Sequence, residues 1–269
     1  MSHDPKEHPP SDIAAALPHE DPWHVLTALT PARVGLGRAG AALRTRTHLE
    51  FLAAHAMARD AVHRRWEPHV FAQALEPWPV HVACSAAPDR AGYLAQPELG
   101  RRLADGESSQ LETLARPEAG WDVAFAMTDG LSAEAIERHG AAMLRALRMS
   151  LEEAGLTLAP VVLVALGRVA IADSIGFALG ARVSIIAVGE RPGLSASDSL
   201  GLYLTYAPRP GRTDAERNCI SNIHPPDGLD YASAAHKATW LAREAIRRGH
   251  SGVALKDESP SLPKLAHQT

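Results

Sequence analysis

The chain has 269 residues, 46% of them apolar and 22% charged, so it can bury a full core and is neither disordered nor fibrous; the length suits two modest domains. Lys and Arg number 27 against 31 Asp and Glu, a formal charge of -4, and without a basic excess for a phosphate backbone nucleic acid is not an expected partner. The two cysteines, Cys84 and Cys219, lie far apart in no CxxC pattern, which excludes a disulfide framework or structural zinc site and fits a reducing cytoplasm.

No apolar run approaches the ~18 residues of a membrane span, and residues 1–22 have no hydrophobic signal core, so a protein neither exported nor membrane-embedded is expected. Five prolines among acids and histidines make residues 1–22 a loose tail. Residues 23–116 read as a mainly helical, irregular region. Thr47 and Glu50 form a capping box, and Leu49, Leu52, Ala53 and Ala56 share a face of a helix running to Arg64 or Arg65. Pro77, Pro79, Pro88 and Pro97 break the remainder.

After Pro117 and Gly120 the pattern becomes strand, turn, helix. Asp122 to Thr128 is an apolar strand ending at Asp129-Gly130, and Ser132 caps a helix carrying Ile136, Met143, Leu144, Leu147 and Leu151, stopped at Gly155. Pro160 to Leu166 is a second β-branched run, followed by a helix from Val169 to Leu179. Arg182 to Val188 is a third strand, Leu200 to Ala207 a fourth, and Tyr231 to Ile246 a final amphipathic helix.

This alternation predicts an α/β fold: a Rossmann-like, open, mostly parallel sheet over residues 117–257 with helices on both faces, and a C-terminal tail over 258–269. Ligands in such sheets sit beyond the carboxyl ends of the strands. The segments expected there are Asp129–Ser132, Gly167–Val169, Gly189–Gly193 and the loop after Tyr206.

Gly35-Leu36-Gly37-Arg38-Ala39-Gly40 matches GxGxxG by letter but follows no convincing strand, so it reads as a structural turn, with a dinucleotide site as the competing reading. Glu190 and Arg191 follow the third strand on a glycine-hinged loop that can present an acid and a base to a ligand; the residue types equally suit a solvated ion pair, and it is position that raises the site above background. Cys219 has no neighbouring base and reads as a small buried hydrophobe, not a nucleophile. The 14 histidines show no metal-ligand spacing, and no GxSxG elbow or P-loop occurs, so no metal site or self-sufficient catalytic set is expected.

Three stretches closely resemble the small subunit of ethanolamine ammonia-lyase: Gly189 to Ser195, Asp198 to Arg209 and Arg217 to Ile223. Shorter matches are Gly35–Gly40 after Arg33, His55–His63, Asp129–Ser132 and Gly252–Asp257; the likeness spans about Val34 to Asp257 and is thin over Pro77 to Arg116. The resemblance implies one half of an adenosylcobalamin-dependent enzyme that converts ethanolamine to acetaldehyde and ammonia. A β/α-barrel large subunit then holds the substrate, and this chain, contacting it through residues 23–116, covers the cobalamin from the other side in a hetero-oligomer of paired subunits. Cofactor contacts carry over to Val169, Glu190 and Cys219; loop position adds Asp129, Arg168 and Arg191. The sequence Asp-x-His-x-x-G is absent, which favours base-on cobalamin with its own benzimidazole on cobalt. The competing functions are a free-standing NAD(P)-binding oxidoreductase using Gly35, Gly37 and Gly40, and a non-catalytic scaffold of a bacterial microcompartment docked through its N-terminal tail.

Overall fold

The computed structural model describes residues 22–30, 32–114 and 117–261. The tail expected over 1–22 lies outside the described residues apart from Pro22, as does the C-terminal tail beyond residue 261. The chain divides into two compact units, 1–56 and 57–269.

In the first unit, β1 (Arg38–Ala39) and β2 (Ala42–Leu43) form a two-residue antiparallel ladder. Gly35, Gly37 and Gly40 all have positive φ, the conformation glycine tolerates best, and they shape the approach to this hairpin and its turn. A Cβ on Gly37 would meet the Arg44 guanidinium at 2.8 Å. This is not the strand-to-helix turn that lets a pyrophosphate approach a helix N-terminus, so the dinucleotide reading is corrected: the glycines make a hairpin. Helix α1 (Thr45–His63) starts two residues before the expected cap, with Thr47 already inside it.

The second unit contains α2 (Pro68–Gln73), β3 (Val80–Cys84), α3 (Arg90–Ala95), a 3-10 turn at Leu99–Arg101 and α4 (Glu107–Glu112). Then follow β4 (Trp121–Thr128), α5 (Ala133–Glu153), β5 (Val161–Ala165), α6 (Ile171–Ala178) and β6 (Ala181–Gly189). The last elements are β7 (Leu200–Tyr206), β8 (Arg217–Ile223) and α7 (Tyr231–Arg248). One sheet has the order β3-β5-β4-β6-β7-β8. The first four strands are parallel; β7 and β8 are antiparallel additions at one edge.

Alternating side chains feed two cores. Val123, Phe125 and Met127 of β4 pack with α5, α7 and Phe71 of α2 on one face, while Ala124 and Ala126 lie on the other with Ile171 and Ile175 of α6 and Leu111 of α4. The helices therefore cover both faces, as the α/β reading requires.

Three elements differ from the sequence expectation. Val80–Cys84, inside the stretch read as helical and irregular, is a sheet strand paired with β5; its flanking prolines mask a five-residue strand at the sheet edge. Arg217–Ile223 was not expected as a strand because its edge position leaves Cys219, Ser221 and Asn222 exposed, so it carries no apolar run. β7 runs antiparallel because the ten residues between Gly189 and Leu200 contain no crossover helix, and the chain can only turn back on β6.

Candidate functional site

At the carboxyl ends of β4, β5 and β6 three loops converge. Their convergence leaves a cavity of about 520 Å³, lined by Leu131, Arg168, Val169, Glu190, Arg191 and Tyr203 among others. The loop after Tyr206 was expected at this edge, but antiparallel β7 sends it to the opposite one, where the Ala207 amide donates to Arg182 O. Only Asp214, further along, returns to the cavity wall.

Backbone proximity fixes the loops. A Cβ on Gly130 would lie 2.5 Å from Gly189 O, and one on Gly189 would lie 2.1 Å from Ser132 O. The ends of β4 and β6 therefore touch only because both residues lack side chains. The Leu131 amide donates to Gly189 O at 3.0 Å and seals the contact.

Glu190 is half-buried. Its Oε2 accepts from Ser199 Oγ at 2.6 Å and lies 3.4 Å from the Asn222 amide, while the Glu190 amide donates to Ser199 O. A Cβ on Gly201 would stand 2.7 Å from Glu190 Oε1, so β7 carries glycine where the carboxylate folds over it. The result is an acceptor fixed at the cavity wall.

Arg168 opens the β5–α6 loop. Its guanidinium lies 4.4 Å from the Tyr93 ring centroid, Nη2 donates to Tyr93 O at 3.1 Å, and its amide donates to Gly100 O at 2.6 Å. Nε is buried with no partner among the described residues. Tyr93, on α3, donates to Gly167 O at 3.2 Å; burial pushes its hydroxyl up to about 12, against the lowering effect of Arg168, so it remains a proton donor. Val169 lines the cavity beside Arg168, and Arg191 is exposed at its rim.

Cys219 does not line the cavity but sits directly across from Tyr203, which does. Burial raises the thiol above its ordinary value and the Glu190 carboxylate adds to this, outweighing the hydrogen bonds with Tyr203 and Ser221. At neutral pH the thiol is protonated, but the residue lies exposed on the edge strand, where the sequence reading expects a small buried one.

Asp129, like Cys219 and unlike the other four expected residues, does not line this cavity. It is 1% exposed, and its carboxylate accepts from the Leu166 amide at 2.7 Å and pairs with Arg90 Nη1 at 3.0 Å. Burial raises its pKa while Arg90 opposes that. Arg90 also donates to Gly130 O and Val62 O. This knot ties the end of β4 to the loop after β5; Asp129 braces the site and faces a second cavity, of about 590 Å³, instead of the first. Sequence reasoning missed Tyr93, Arg101 and Tyr203 on the cavity wall, because the first two lie in the proline-broken stretch and the third reads as an ordinary strand residue.

Among the described residues the cavity wall holds no Ser, Cys or His, and no group of three His, Cys, Asp or Glu could hold a metal ion. Fold and site together define an α/β domain with an open cavity at the carboxyl edge of its sheet, the place where sheets of this class take ligands. The family model for the ethanolamine ammonia-lyase light chain matches residues 20–256. The ethanolamine ammonia-lyase small subunit of Xanthomonas campestris pv. campestris is 54% identical, covering 90% of each chain. That of Azotobacter vinelandii is 53% identical over 89% of this chain and 90% of its own. The Ralstonia nicotianae small subunit is 50% identical over 94% of each. The chain belongs to the ethanolamine ammonia-lyase small-subunit family, and is therefore a subunit of a lyase, with a large subunit implied as its partner.

Proposed function

We propose that this chain holds one side of adenosylcobalamin against a β/α-barrel large subunit that converts ethanolamine to acetaldehyde and ammonia. The observation that carries the reading is the orphaned, buried Nε of Arg168 on the wall of a cavity that also presents a fixed carboxylate. A buried donor left unpaired costs about 1–3 kcal/mol, which a bound acceptor recovers. When bound, adenosylcobalamin supplies a cobalt–carbon bond whose homolysis starts radical chemistry on the substrate.

The residues fit that group. Glu190 accepts from neutral amide side chains of a corrin; Val169 gives apolar and backbone contact; Tyr203 backed by Cys219 gives a flat packing surface. Asp129 and Arg90 keep these loops in register, and Arg191 stands at the rim. None of these groups moves a proton in the reaction; their part is to bind, orient and exclude water.

A second feature supports a partner-dependent chain. The unit containing residues 22–56 exposes Trp23, Val25, Leu29, Leu49 and Leu52, and α1 leaves outside the very face that its sequence pattern marks as apolar. Such a surface is suited to burial against a large subunit. Mixing the chain with a barrel subunit and adenosylcobalamin, and omitting each in turn, tests the whole reading: acetaldehyde forms only when all three are present. Full-rate deamination by the chain alone would overturn it. For base-on binding, the electron paramagnetic resonance spectrum of the reduced cofactor in the complex keeps its axial nitrogen coupling unchanged when every protein nitrogen is labelled with ¹⁵N. A changed coupling assigns the axial nitrogen to the protein instead.

A further inference from the structure

The cavity wall carries more positive charge than its own acids neutralise. Its cations are Arg101, Arg168 and Arg191, and its acids are Glu190 and Asp214. Glu190 is engaged by Ser199, and Asp214 pairs with Arg217 at 3.3 Å. Neither Arg101 nor Arg191 pairs with a described residue, and Arg168 keeps its buried Nε unpartnered. Three guanidinium groups thus face one space with donors to spare.

Arg101 is also held in place by its backbone. It ends the 3-10 turn whose middle residue, Gly100, accepts the Arg168 amide at 2.6 Å. A Cβ on Gly100 would stand 2.8 Å from the Tyr93 ring and 2.9 Å from Leu166 O, so only glycine lets the turn come this close to the β5–α6 loop. That approach sets Arg101 and Arg168 on the same wall.

We propose that Arg101, acting with Arg168, binds the phosphodiester of the cofactor's nucleotide loop. This rests on the cobalamin reading above and deepens it. The peripheral side chains of a corrin are neutral amides, which suit Glu190 and backbone groups; the phosphodiester is the anion that a guanidinium pair matches in charge and geometry. Arg101 is a binding residue in this assignment and takes no part in the chemistry.

The test compares two corrinoids on the complex of this chain with its large subunit, read by visible-absorption titration. Cyanocobalamin carries the phosphodiester; dicyanocobinamide lacks it. Arg101→Ala is expected to weaken cyanocobalamin binding about tenfold or more and to leave dicyanocobinamide binding unchanged, with Arg101→Lys restoring part of the loss. The side chain is exposed, so thermal unfolding of the variant matches the wild type. Equal weakening of both corrinoids, or no weakening of either, overturns the phosphodiester subsite alone. If the wild-type complex binds neither corrinoid, the cobalamin reading fails and the subsite falls with it.

Discussion

Glu190 owes its position to a residue that has no side chain. Gly201, across the β6–β7 ladder, leaves the room in which Oε1 rests, while Ser199 holds Oε2. Glu190→Gln is expected to weaken corrinoid binding by roughly tenfold through the loss of a charged acceptor, with the fold intact. Gly201→Ala should reproduce that phenotype, because its methyl group displaces the same carboxylate; wild-type affinity in Gly201→Ala would show that Glu190 is not held in the way described. Cys219 makes a different prediction. Its raised pKa means that iodoacetamide labels it slowly at pH 7, with the rate rising only at a more alkaline pH than for an unperturbed cysteine, as peptide mass spectrometry of the labelled chain will show.

At the scale of elements, the loop between β6 and β7 is latched to two helices. Asp198 accepts from Arg138 at 2.6 Å and His139 Nε2 at 3.0 Å on α5, and His139 Nδ1 lies 2.7 Å from the Tyr231 hydroxyl at the start of α7. Ser132 adds a bond to Ser197 O at 2.8 Å. Burial raises the Asp198 carboxyl, but the hydrogen bonds from Arg138 and His139 outweigh it and leave the pKa below the ordinary 3.8. A carboxyl depressed in the folded state stabilises the protein above its unfolded pKa, and that stability is lost as pH falls through the folded value. The Glu190–Ser199 loop should therefore keep its latch through the ordinary carboxylate range and release only below it, with faster hydrogen exchange there than in β4. Asp198→Asn should flatten that dependence.

A second inter-element tie is more demanding. Arg217 opens β8, donates to Asp173 of α6 at 2.7 Å and to Thr205 of β7 at 3.1 Å, and is almost wholly buried, as is Asp173. Removing Asp173 leaves the buried Arg217 charge with only the exposed Asp214 at 3.3 Å, so Asp173→Ala is expected to cost about 3 kcal/mol in urea unfolding. Replacing both partners with apolar residues should recover much of this, since it is the unpaired charge that is expensive. The same pair explains how a strand as polar as Arg217–Ile223 holds its place: it is pinned at its first residue and buries Ile220 and Ile223 toward α7.

For the whole molecule, exposed large apolar side chains are densest in the unit containing residues 22–56, and the core lies in the other. Residues 57–261 bury the two faces of one sheet, whereas the unit containing 22–56 leaves Leu49 58% and Trp23 65% exposed. An exposed apolar surface of this kind drives association. The isolated chain is therefore expected to self-associate in sedimentation velocity, and Leu49→Asp with Leu52→Asp should weaken assembly with the large subunit by more than about tenfold while leaving the thermal unfolding of the chain unchanged. Normal assembly of that double variant would move the interface elsewhere. Among the described residues no helix is long and apolar enough to cross a membrane.

The sequence by itself determined the β-α-β-α-β run from Trp121 to Gly189 and the position of three of its loops at one edge, because hydrophobic period and capping are local properties: Ser132 caps α5 and Gly155 follows its end as read. The long motifs at Gly189, Asp198 and Arg217 carried the family. Only tertiary structure decided the rest. Val80–Cys84 becomes a strand because β5 offers it an edge, and Arg217–Ile223 because β7 does; neither carries enough apolar pattern to announce itself. Asp129 turns inward, through a knot with Arg90 across 39 positions of sequence, and Arg101 reaches the cavity because Gly100 fits against Tyr93 and Leu166. Such contacts join residues remote in the chain, and no local period records them.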